Sequence, residues 1–101
     1  EFESGRIMTQ VTWTEVAKED YLTLLRETYD YSVDAALALD NKMEKLLGNL
    51  SRFKHFCPAT QNFPKFRRCV VTPYISLVYE TGENAVTIIS IFDSRRKNPF
   101  V

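Results

Sequence analysis

Residues 66–93 read FRRCVVTPYISLVYETGENAVTIISIFD, and this stretch decides the fold. Side chains alternate between two faces along 66–72 and again along 74–80, the period of extended chain. Pro73 separates these two runs, and TGEN at 81–84 reads as a turn in which Gly82 supplies a positive φ. The run 85–92, AVTIISIF, is apolar at even and odd positions alike, which marks a strand buried on both faces at the centre of a sheet. Three antiparallel strands are therefore expected.

Upstream, the period changes. TQVTW at 9–13 alternates and reads as a short strand. Thr14 can cap a helix over about 15–30, with Glu15, Glu19 and Asp20 favouring its start and Ala17, Tyr21, Leu24, Leu25 and Thr28 at helical spacing. Ser32 can cap a second helix, on which Ala36, Leu39, Met43, Leu46, Leu47, Leu50 and Phe53 form one apolar stripe. Only YDY separates the two helices, so they should pair as an antiparallel hairpin. HFCPATQNFPK at 55–65 reads as a loop. The expected fold is α+β, ordered β-α-α-β-β-β, with the helical hairpin covering one face of a small antiparallel sheet.

A chain of 101 residues with 45% hydrophobic and 26% charged side chains has the composition of one globular domain. Residues 1–7 show no periodicity and precede Met8, so they read as an expression tag or disordered segment ahead of a domain at 8–101. No apolar run has the roughly 20 residues of a membrane helix, and no secretory pattern is present, so the expected compartment is the cytoplasm. Cys57 and Cys69 do not form a C-x-x-C pair and are expected to be reduced, buried thiols. His55 is the lone histidine, and neither a metal site nor a cofactor is expected.

The zero net charge conceals a polarity. Residues 1–50 hold ten acidic and five basic side chains, and residues 51–101 hold three acidic and eight basic. Such a basic second half points to an acidic or polyanionic partner. Arg67 and Arg68 fall on opposite faces of their strand, and Arg95, Arg96 and Lys97 follow directly on the central strand. Guanidinium forks suit carboxylate and phosphate oxygens, and a stiff strand holds them in place. Asp93 is placed to orient one of these arginines. Among the tyrosines, Tyr21, Tyr29 and Tyr31 read as helix packers, whereas Tyr74 and Tyr79 lie in the basic half and are better placed for ligand contact, with core packing the ordinary role.

Several pieces together resemble the RelE/ParE superfamily of toxins from bacterial type II toxin–antitoxin modules. They are VTWTEVAKEDYLTLL, the helix ending LLGNLSRF, FRRCVVTPYISLVYE, and AVTIISIFDSRRKNP, covering about residues 9–99. The resemblance implies a single toxin domain with the fold above, neutralised by a cognate antitoxin, without a cofactor or metal. It also divides the possible targets. RelE-like members are ribosome-dependent mRNA endoribonucleases, for which Arg67, Arg95, Arg96 and Tyr74 would be the catalytic candidates here. ParE-like members poison DNA gyrase, arrest growth and stabilise plasmids. Ser76 stands where many RelE-like enzymes carry arginine, and no tyrosine follows Lys97, so the resemblance is closer to ParE. Arg67, Arg68, Arg95, Arg96 and Lys97 are then the expected contacts to target or antitoxin. A non-toxic domain that only binds an antitoxin is the third reading.

Overall fold

The computed structural model describes residues 9–96. The expectations for residues 1–7 and for Lys97 lie outside them. The chain forms β1 (Gln10–Trp13), α1 (Glu15–Tyr31), α2 (Val33–Arg52), β2 (Phe66–Thr72), β3 (Ile75–Gly82) and β4 (Ala85–Asp93). The sheet order is β1-β4-β3-β2, with β4 and β3 central.

The sheet is mixed rather than antiparallel, because β1 runs parallel to β4. Two tight reversals return β4 to the direction of β2, and α2 carries the chain back to the end where β1 begins. Thr9 N–H donates to Ser51 O at the end of α2, and Gln10 N–H donates to Asn84 O in the β3–β4 turn. β1 thus enters beside β4 from the same end.

Thr14 caps α1 by accepting from Ala17 N–H at 3.1 Å. A single residue, Ser32, divides the helices, and YDY is helical. Ser32 N–H donates to Thr28 O and closes α1, while its Oγ accepts from Ala35 N–H and opens α2. The α2 stripe buries Ala36, Leu39, Met43, Leu46 and Leu50, and the last three share one core cluster with Leu77, Tyr79, Ile88 and Ile91 of the sheet. Phe53 leaves that stripe. It is the extended cap residue that ends α2, and 62% of its surface is exposed.

The positive φ of the β3–β4 turn belongs to Asn84, at 58°, not to Gly82. The loop takes two residues, Glu83 and Asn84, and asparagine tolerates the left-handed region. A bulge in β4 places Val78 opposite Ser90 and Tyr79 opposite Ile88. Beyond β1, α1 covers the β4 edge: Asp20 Oδ2 accepts from Ile91 N–H at 3.2 Å, and Thr14 Oγ1–H donates to Ile89 O.

Cys57 and Cys69 form a disulfide, contrary to the expected free thiols. Residues 58–60 lie along the outer edge of β2, with Ala59 bridging Arg67, Arg68 N–H donating to Pro58 O, and Thr60 N–H donating to Phe66 O. That pairing brings the two Cα atoms to 5.4 Å. A separation of twelve residues gives no hint of it in sequence. Among the described residues, no helix is long and apolar enough to cross a membrane.

Candidate functional site

β4 ends in a built cation site. Asp93 is the last residue of β4, pairs with Ile75, and is only 8% exposed. Its carboxylate grips Arg95 bidentately, Oδ1 accepting from Nε at 3.0 Å and Oδ2 from Nη2 at 2.7 Å. Oδ1 also accepts Arg95 N–H at 2.9 Å, and Asp93 O accepts Arg96 N–H at 3.0 Å, so the turn is fixed by the same residue. The Arg95 hydrogen bond pulls the Asp93 pKa down to about 2, outweighing its burial. The same contact raises that of Arg95. The Arg95 guanidinium lies 4.2 Å from the centroid of the Tyr74 ring. Ser94 N–H donates to Tyr74 O, tying the turn to the start of β3.

Arg96 points across to α1, its Nη2 3.8 Å from Glu27 Oε1. Between the far halves of the helices and this end of the sheet lies a cleft of about 710 Å³. Leu24, Thr28, Tyr31, Leu39 and Lys42 line it from the helices, and Tyr74, Ile75, Asp93, Arg95 and Arg96 from the sheet. Tyr29 and Tyr31 are not helix packers: they are 58% and 89% exposed, and Tyr31 borders the cleft. Tyr21 does pack, against Trp13, and donates to Asp40 Oδ1 at 2.6 Å. Burial, and then that hydrogen bond, raise its pKa above the ordinary phenol range.

The other candidates sit elsewhere. Arg67 faces the helices, and its Nη1 donates to Cys57 O at 2.6 Å. It pairs with Tyr79, four positions along β3 from Ile75, or about 13 Å at a strand's rise. Arg67 therefore stays apart from the Tyr74–Arg95–Arg96 group. Tyr79 is fully buried and its hydroxyl is spent on the loop, donating to Lys54 O and accepting from Cys57 N–H. Arg68 lies on the opposite face, where its Nε donates to Ser76 Oγ at 3.1 Å and its guanidinium lies 5.8 Å from the centroid of the Phe92 ring.

Sequence reasoning missed the helical wall of the cleft, Tyr31, Leu39 and Lys42 with Glu27. One signal was present: Leu22, Tyr29, Tyr31, Val33 and Leu37 are large apolar residues off the core stripes, and all are at least half exposed. All but Leu22 lie within five residues of Ser32, at the turn of the hairpin.

The fold is that of small bacterial toxins. It is similar to the "Chromosomal ParDE TA system from P. aeruginosa", with a TM-score of 0.64 at 18% identity, covering 87% of this chain and 98% of that one. It is similar to the "YoeB/ParE toxin from Agrobacterium tumefaciens" at 0.63 and 16%, covering 83% and 96%. It is also similar to a chain of the "YoeB-YefM complex from Staphylococcus aureus" at 0.59 and 18%, covering 87% and 97%. No curated protein sequence matches the chain. Residues 11–98 match the profile of the family described as "ParE toxin of type II toxin-antitoxin system, parDE". The chain belongs to that toxin family.

Proposed function

We propose that this toxin poisons DNA gyrase through the end of β4 and is silenced by a cognate antitoxin lodged in the adjoining cleft. The observation that carries the reading is the Asp93–Arg95–Tyr74 assembly: a guanidinium clamped by a buried carboxylate, backed by a ring, and placed at the mouth of a cleft. Asp93 already neutralises Arg95 in part, and the other carboxylate of the cleft, Glu27, is drawn to Arg96. This suits recognition better than bond cleavage. An amphipathic, acidic antitoxin segment fits a cleft with apolar helical walls and Lys42, Arg95 and Arg96 at its rim. Gyrase lies in the cytoplasm, a reducing compartment, where the Cys57–Cys69 bond is open or transient and the loop rests on its hydrogen bonds.

One observation favours the mRNA endoribonuclease reading. Arginine is missing at Ser76, yet Arg68 reaches Ser76 from the neighbouring strand and brings a guanidinium to that position. Induced expression separates the readings. Growth arrest with DNA breaks and a DNA-damage response is expected, and is lost in Arg95→Ala/Arg96→Ala while the fold is kept. Site-specific cuts in translated mRNA, abolished by Arg68→Ala, would overturn gyrase as target. Absence of arrest would leave an antitoxin-binding domain.

A further inference from the structure

The end of the sheet opposite Arg95 carries a different surface. From Lys45 to Tyr79 the chain contains no acidic residue, while Lys45, Arg52, Lys54, Lys65, Arg67 and Arg68 are all cationic. Within this stretch three phenylalanines are set outward: Phe53, Phe56 and Phe63 are 62%, 51% and 40% exposed. Phenylalanine is among the side chains that gain most from burial, so three rings shown to water in eleven residues need a reason. Arg52, Lys54, His55 and Lys65 interleave with them. Lys54 Nζ reaches Gly82 O at 3.0 Å, and Phe66 pairs with Glu80, so both turns of the loop lie at the Gly82 end of the sheet.

The platform is held in place. The Tyr79 hydroxyl fixes Lys54 O and Cys57 N–H, Arg67 fixes Cys57 O, and Thr60 Oγ1 ties Phe63 through its N–H and its carbonyl. The Phe63 and Phe66 rings lie 6.3 Å apart, and Lys65 Nζ sits 5.0 Å from the centroid of Phe66. Loops fixed this way lose little entropy on binding.

We infer that residues 52–66 form a second binding surface, for single-stranded nucleic acid, with bases stacked on Phe53, Phe56 and Phe63 and phosphates on Arg52, Lys54 and Lys65. Flat rings alternating with cations, without carboxylates between them, are what an unpaired strand requires. A lipid surface would be met with aliphatic side chains as well, and residues 51–65 contain no leucine, isoleucine, valine or methionine. Glu80 and Glu83 bound the surface on the hairpin side. The surface does not depend on which target the β4 end recognises.

The test is fluorescence anisotropy of the purified toxin with a labelled oligothymidine of about 15 nucleotides, long enough for a site of this size. Binding is expected, with preference over the matching duplex. Phe53→Ala/Phe56→Ala should weaken it at least about tenfold, since each base–aromatic stack contributes about 1–3 kcal/mol. Lys54→Gln/Lys65→Gln should flatten the salt dependence by roughly two counterions. Both phenylalanines are exposed, so thermal melts should match the wild type and exclude misfolding as the cause. Equal affinity of the phenylalanine variant, equal affinity for duplex, or binding to anionic vesicles without binding to the oligonucleotide would each overturn the inference. So would loss of binding in Arg95→Ala/Arg96→Ala with the phenylalanine variant intact, because the contact would then lie at the other end.

Discussion

Asp93 determines how Arg95 is displayed. Alone, Arg95 would sweep a wide volume at the end of a strand; held by two carboxylate oxygens and the Tyr74 face, it points one way. Asp93→Asn should therefore keep the fold and lose toxicity, because Arg95 loses the charged partner that fixes its direction. The pH dependence follows from the lowered pKa, about 2 against an ordinary 3.8. A carboxylate with a depressed folded-state pKa stabilises above its unfolded value and loses that contribution as pH falls towards the folded one. Urea melts should show wild type losing stability between about pH 4 and pH 2 more steeply than Asp93→Asn. Parallel curves would show that the contact contributes little. Asp93 and Arg95 are two residues apart, which is why their pairing could be anticipated. Arg67 could not be placed the same way. Alternation gives the face of a strand, but only the β2–β3 register shows that its partner is Tyr79, well away from Tyr74.

At the level of elements, local chemistry was legible and long-range chemistry was not. Thr14 and Ser32 announce helix starts because a capping oxygen acts on an N–H three residues ahead. The central place of β4 follows from its being apolar on both faces. The parallel pairing of β1 with β4 spans more than seventy residues and leaves no local trace. The 53–65 loop is the same kind of case. Its prolines mark it as irregular, but its pairing with β2 and the Cys57–Cys69 bond are tertiary events. Closing a loop of this length removes about 3 kcal/mol of chain entropy from the unfolded state in the simple chain model. Reduction of the purified protein should lower its unfolding free energy by about that much, yet leave toxicity in a reducing cytosol unchanged, since Tyr79 and Arg67 still hold the loop. A reduced protein that unfolds at room temperature would show those hydrogen bonds to be insufficient.

For the whole molecule, the charge division visible in the sequence becomes a spatial one, and at the cleft the two signs meet. Arg96 faces Glu27 across the gap between sheet and helix, and Lys42 adds a cation from α2. The Arg96–Glu27 contact is long and solvated, so it is worth at most about 1 kcal/mol and is readily exchanged for another carboxylate. An acidic antitoxin segment would displace Glu27 from Arg96 while laying its apolar face on Ala38 and Tyr31. Two separable effects would follow for an antitoxin seated there, measured by stopped-flow association and equilibrium titration. Arg96→Ala/Lys42→Ala should slow association and reduce its salt dependence, because exposed rim charges act mainly on the encounter. Ala38→Trp, which places a large ring on the helical wall of the cleft, should weaken equilibrium binding by at least about tenfold, as a clash acts on dissociation. If Ala38→Trp binds the antitoxin normally while association still responds to the cations, the antitoxin is drawn to this end of the molecule but seats outside the cleft.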